Sequence, residues 1–213
     1  MIYICAYRDW AIDVFNEVNE WADCILIKTA KDLEDISSTF SESDKIFFIG
    51  WSWIVSDKII KKYECICMHP SPLPKYRGGS PIQHQIINGE RLSAVTFFKM
   101  TDKLDAGEII FRLPMSLEGE LKDVTNRMIP LVITSIFYIL NNKLQGQLQD
   151  EEEATYFKRR KPIESEIKYD DIKNKTAEQL YNKIRSLQDP YPNAYIVCKD
   201  GKKLYLKTAN YEK

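Results

Sequence analysis

Four short apolar runs dominate the first third of the chain: IYICAY (2–7), CILIK from Cys24, KIFFIGWSW (45–53) and ECICM (64–68). None of them alternates polar with apolar residues. A strand that is apolar at nearly every position has both faces covered, as in a parallel sheet between two helical layers. The stretches between these runs complete the pattern. WAIDVFNEVNEW (10–21) has helical spacing, and SDKIIKKY (56–63) opens on Ser56, a residue type suited to capping a helix. Strand, helix and strand in this order predict an α/β protein built on a doubly wound, mostly parallel sheet.

Further along, Ser80 and Pro81 are placed to open a short helix that Gly89 closes. LSAVTFFKM (92–100) and GEIIFRLPM (107–115) read as two more strands. LKDVTNRMIPLVITSIFYILNNKL (121–144) reads as one long helix, interrupted or kinked at Pro130. Its apolar core, Met128 to Leu140, is shorter than a bilayer span and predicts a buried helix. After Gln149 the composition changes. DEEEATYFKRRKPIESEI (150–167) reads as a charged linker, TAEQLYNKIRSL (176–187) as a helix, and the residues around Asp200-Gly201 as a hairpin. The predicted organisation is a catalytic domain over 1–149, then a linker and a small C-terminal helix–hairpin appendage over 150–213.

Composition excludes some functions. Among 213 residues the formal net charge is −1, without the basic excess of a nucleic-acid binder. Arg8 and Asp9 fall where an export signal would be apolar. Five cysteines in irregular positions suit reduced thiols. The expectation is a cytoplasmic protein with no membrane segment and no nucleic-acid partner.

In an open parallel sheet, ligands bind beyond the carboxyl ends of the strands. His69 stands at such an end, directly after ECICM, and Pro70, Pro72 and Pro74 stiffen the loop behind it. Taken alone, His69 is read equally well as a strand terminator. Cys65, Cys67 and His69 share a face, but a structural zinc site wants four ligands, so no metal is expected. Neither GxGxxG nor a P-loop occurs, so neither NAD nor ATP is expected.

The segment HPSPLPKYRGGSPIQHQIINGE (69–90), followed by AVTFFKMTDKLDAGEII (94–110), resembles the signature region of the folate-dependent formyltransferases. Four pieces occur in order at matching spacing: a His-Pro-Ser loop, Leu-Pro-x-Tyr-Arg-Gly, a Pro-Ile helix, and Leu-Asp-x-Gly. The resemblance implies a Rossmann-like formyltransferase fold and N10-formyltetrahydrofolate as formyl donor to an amine. It implies that His69 and Asp105 are catalytic, and that Trp51, Trp53, Val55 and Leu104 line the folate pocket. The family has Asn two residues before the His; here the residue is Cys67, a much weaker oxyanion donor. ATYFKRRKP (154–162) and the DPYPNA region (189–194) are similar to the sugar N-formyltransferases, which implies a nucleotide-linked amino sugar as acceptor. Arg8, Lys75 and Arg77 are then the candidates for its phosphates. Two alternatives stay open: an aminoacyl group on a carrier or tRNA as acceptor, or a non-catalytic folate or nucleotide-sugar binder. The OB-like domain that extends the tRNA enzymes is expected to be truncated here.

Overall fold

The computed structural model describes residues 1–212. Among these residues ten strands and seven α-helices follow in the order β1 (Ile2–Cys5), α1 (Asp9–Asn19), β2 (Cys24–Ile27), α2 (Ala30–Ile36), β3 (Lys45–Phe48), α3 (Asp57–Lys62) and β4 (Glu64–His69). Then come β5 (Arg77–Gly78), α4 (Pro81–Ile87), β6 (Leu92–Lys99), β7 (Ile109–Ser116), α5 (Leu121–Asn141) and β8 (Tyr156–Phe157). The chain ends with α6 (Tyr169–Asn174), α7 (Ala177–Ser186), β9 (Ala194–Val197) and β10 (Lys203–Leu206). Six strands form the main sheet in the order β2-β1-β3-β4-β6-β7. β1 to β4 are mutually parallel, and β6 runs antiparallel to both β4 and β7.

The unbroken apolar strands are explained by two cores. Along β1, Ile4 points to one face and Tyr3 and Cys5 to the other; along β3, Phe47 opposes Ile46 and Phe48. One face packs on α1 and α5 through Val14, Val18, Met128, Val132 and Ile136. The opposite face packs on α2 and α3 through Leu33 and Ile59. Burying each such side chain contributes about 1.5–3 kcal/mol. The doubly wound reading therefore agrees with the structure. α5 runs unbroken through Pro130 and contributes a buried stripe to the first core.

Several local readings need correction. β3 stops at Phe48, because Gly50 turns with φ +61° and the aromatic run beyond it leaves the sheet. Ser56 and Ser80 precede their helices but neither side chain makes a capping bond; Ser80 Oγ accepts from Arg160 N instead. The helices α2 and α6 had no counterpart in the sequence pattern. Residues 150–161 do not wander as a linker: β8 pairs in parallel with β5, and Thr155 O accepts from Arg77 N at 2.8 Å. The hairpin about Gly201 forms as expected, as β9 and β10. With α7 it buries a small cluster of its own, Ile167, Ile184, Leu187 and Ala194. Buried Arg185 ties α7 to the main body by donating to the carbonyls of Leu117 and Gly119 at 2.7 and 2.8 Å.

Candidate active site

The strand order reverses between β1 and β3, and a cavity of about 860 Å³ opens beyond their carboxyl ends. Its walls come from the segments after β1, β3 and β4, from the β6–β7 loop, and from the stretch after β8. A volume of this size accommodates a drug-sized ligand with room for a second group.

His69 is 6% exposed at the end of β4. Its Nε2 lies 2.8 Å from the carbonyl oxygen of Tyr76. A carbonyl only accepts, so the proton of the neutral ring sits on Nε2 and Nδ1 carries the lone pair. Nδ1 faces Asp105 Oδ2 at 3.6 Å. The carbonyl that fixes this tautomer is itself fixed. Tyr76 stacks on Phe157 with centroids 4.9 Å apart, its hydroxyl donates to Glu90, and its N–H donates to Thr155 Oγ1.

Asp105 sits at φ +50°, a left-handed conformation that costs a non-glycine residue about 1–2 kcal/mol. Its Oδ2 accepts from Gly78 N at 2.8 Å. The Gly78-Gly79 pair lets the strand after it approach closely. A Cβ at Gly78 would lie 2.3 Å from the Phe157 carbonyl oxygen, and one at Gly79 would lie 2.4 Å from Arg159 Cα. No larger residue fits without displacing backbone.

Cys67 lines the cavity, two residues before His69. Burial, then the negative fields of Asp105 and Cys65, push its thiol well above the ordinary value. It therefore stays a neutral S–H, a weak donor rather than a nucleophile. Among the described residues no three His, Cys, Asp or Glu side chains gather in a metal-binding group.

Trp51, Trp53, Val55 and Leu104 all line the same cavity. Trp51 and Trp53 meet edge to face at 4.8 Å, and Tyr7 packs on Trp53 at 4.4 Å. Trp51 Nε1 is buried without a hydrogen-bond partner, and an orphaned buried donor costs about 1–3 kcal/mol. An aromatic wall with one unused donor fits a flat heterocycle that has acceptors on its edge.

Of the three candidate phosphate ligands, one lines this cavity. Arg8 reaches into the cavity, with Nη2 3.2 Å from Ser52 Oγ. Arg77 does not: it is 0% exposed and spends its donors on Gln149, Glu151 and Tyr156, behind the cavity wall. Glu151 pushes its guanidinium pKa up, so its charge is locked in the fold. Lys75 lines a separate, smaller cleft with Pro72, Glu90 and Arg112. Neither Lys75 nor Arg77 is therefore placed to meet a phosphate in this cavity. Arg159, not among those candidates, also lines the cavity, with Nη1 3.3 Å from the same Ser52 Oγ. Its signal in the sequence is the KRRK run at 158–161, which reads as a linker feature that could touch a polyphosphate.

Fold and crevice together define an α/β protein that presents a preorganised imidazole–carboxylate pair beside an aromatic cavity. Residues 30–128 match the family described as formyl transferase, and residues 162–213 match the formyl transferase C-terminal domain. The chain belongs to the folate-dependent formyltransferase family. It is 34% identical over 162 residues to the methionyl-tRNA formyltransferase of Bacillus thuringiensis (strain Al Hakam), covering 72% of this chain and 50% of that protein. It is 33% identical over 175 residues to the bifunctional polymyxin resistance protein ArnA of Wigglesworthia glossinidia brevipalpis, covering 78% of this chain and 26% of that one. Thus it spans half or less of the length of these curated relatives. Among solved structures, the methionyl-tRNA formyltransferase from Clostridium thermocellum superposes with a TM-score of 0.82 at 27% identity, covering 96% of both chains.

Proposed function

We propose that this protein transfers a formyl group from N10-formyltetrahydrofolate to the primary amine of a nucleotide-linked amino sugar. The donor supplies an activated formyl carbon, and Trp51, Trp53, Val55 and Leu104 hold its ring system. His69 Nδ1 takes the proton released as the acceptor nitrogen bonds to that carbon. Asp105 Oδ2, 3.6 Å away, stabilises the imidazolium so formed. His69 then returns the proton to the donor nitrogen as its carbon–nitrogen bond breaks. One bond to the formyl carbon forms, one breaks, and a single proton moves between the two nitrogens. With Nε2–H held by the Tyr76 carbonyl, the Nδ1–H of the charged ring is the donor available to the oxyanion that develops between these steps; the Cys67 S–H, directed at the Met68 carbonyl at 3.7 Å, is a weak and shared second.

The observation that carries the acceptor assignment is the convergence on Ser52. Tyr7 OH, Arg8 Nη2 and Arg159 Nη1 all point at one hydroxyl oxygen, at 2.7, 3.2 and 3.3 Å. Among the described residues neither guanidinium pairs with a carboxylate. Two unneutralised guanidiniums gathered at one hydroxyl on the cavity wall suit a phosphate group, which offers several acceptor oxygens to a planar fork. Tyr191 beside Arg8, at 5.9 Å from its guanidinium carbon, adds an aromatic face near this point.

A second reading has specific support. The curated identity of 34% is to a tRNA-directed enzyme, and the 3′ end of a charged tRNA also carries phosphates and an amine. Incubation with N10-formyltetrahydrofolate and a panel of nucleotide-linked amino sugars, while monitoring tetrahydrofolate release, tests the proposal. Turnover with one of the sugars is expected. Turnover only with charged initiator tRNA would replace the sugar by the second reading, and folate binding with no turnover on any amine would end both.

A further inference from the structure

Gln149 is not among the residues lining the cavity, yet it touches the catalytic loop at two points. Its Nε2 donates to the carbonyl of Asp105 at 2.9 Å and to that of Gly107 at 2.7 Å. A side-chain amide has two N–H groups, and here each goes to one of the two carbonyls that straddle the loop. The orientation of the amide is not arbitrary. Its Oε1 accepts from Arg77 Nε at 3.1 Å and from Arg77 Nη2 at 2.8 Å. A guanidinium can only donate, so the amide oxygen must face it and the NH₂ must face the loop.

Arg77 has its own reason to stay where it is. With five N–H donors it makes five bonds, two to Gln149, two to Glu151 and one to Tyr156, and none of its surface is exposed. Neighbouring backbone aligns Gln149 with the loop: Gln147 and Ile109 exchange both backbone hydrogen bonds, at 2.9 and 2.8 Å. The loop is clamped at its far end as well. A Cβ at Gly107 would fall 1.7 Å from the Lys99 carbonyl oxygen, so the turn presses directly on the end of β6. Between these clamps sits Asp105 in its left-handed conformation, which a free loop would abandon. β5 thus holds Asp105 from two directions: Gly78 N–H binds the carboxylate, and Arg77, through Gln149, fixes the backbone that carries it.

We infer that Gln149 is a positioning residue for the formyl-transfer reaction, holding Asp105 within reach of His69 Nδ1 while touching no substrate. This rests on the catalytic reading of His69 and Asp105, and the test separates the two. Gln149→Glu keeps the acceptor for Arg77 but deletes both N–H donors to the loop; Gln149→Ala deletes everything. For Gln149→Glu the expected result is a kcat lowered on the order of 10- to 100-fold. KM for both substrates and the affinity for tetrahydrofolate, read from tryptophan quenching, should stay within twofold, and the melting temperature within about 3 °C. In an Asp105→Asn background the same change should cost less than a further twofold, because a misplaced carboxylate cannot be lost twice. If Gln149→Glu and Gln149→Ala both retain kcat within twofold while Asp105→Asn is at least 100-fold impaired, the positioning role is refuted and the catalytic reading stands. A loss of kcat that merely follows a fall in melting temperature, with both KM values rising, would also refute it. An Asp105→Asn enzyme of wild-type activity would overturn the catalytic reading and this inference with it.

Discussion

The chain has two basic runs that look alike, KYR at 75–77 and KRR at 158–160, of which the second lines the cavity and the first does not. Arg77, within a family signature and next to a glycine pair, is fully buried with every donor matched. Arg159, in a stretch with the composition of a linker, is exposed, and among the described residues its guanidinium reaches only a neutral hydroxyl. The difference lies in saturation. A cation surrounded by a carboxylate, an amide and a phenol has nothing left to offer a ligand, whereas one facing a hydroxyl retains most of its attraction for an anion. The β5–β8 pairing joins the two runs: it buries the first and delivers the second to the cavity.

The comparison breaks most visibly at Arg77. Arg77→Ala leaves Gln149 Oε1, Glu151 and Tyr156 without their donor and opens a void. About 3 kcal/mol of stability should be lost, a fall in melting temperature of roughly 6–12 °C for a chain of this size. Arg77→Lys should recover little, because a point charge cannot replace a fork. If Arg77→Ala melts normally and only raises the acceptor KM, then Arg77 binds substrate after all. Next in size are Arg8→Ala and Arg159→Ala, each expected to raise the acceptor KM about 10- to 100-fold, as for loss of a charged hydrogen bond. Their kcat and melting temperature should hold. Unchanged KM in both variants would leave the cavity without its phosphate contact.

A smaller effect follows from pH. Hydrogen bonding from Arg77 holds the Glu151 carboxyl below its ordinary value. Stability from this pair is complete above the carboxylate value of the unfolded chain, and it is lost as pH falls through the lowered value. Glu151→Gln should therefore melt below wild type at neutral pH, and the gap should close as the solution is acidified. A gap independent of pH would show that the charge of Glu151 contributes nothing. Smallest of all, Lys75→Ala should change stability by less than about 0.5 kcal/mol and leave kinetics unaltered, since its cleft is separate from the crevice.

What could be read in the sequence was local. The apolar runs of β1 to β4 announce a covered parallel sheet, because both faces of each strand are dictated by residues adjacent in the chain. His69 and Asp105 stand out as candidates because short motifs with rigid spacing carry them, and the structure brings them together. The fates of Arg77 and Gln149 could not be read, because their partners lie 72 and 44 residues away. No periodicity encodes such a meeting. α2 and α6 were missed because seven and six residues give barely two turns of pattern. KIFFIGWSW was read as one strand because its apolar character continues past Phe48. A cavity wall demands the same residue types as a core, and only the turn at Gly50 separates them.

The pairing of residues 77–78 with 156–157 also has a temporal meaning. A ribosome that has released only the first 149 residues has already delivered His69 and Asp105, but neither the strand that covers Gly78 nor the carboxylate that neutralises Arg77. The candidate site is therefore assembled late, and an N-terminal fragment cut at that point would carry its imidazole and carboxylate on an unfinished frame.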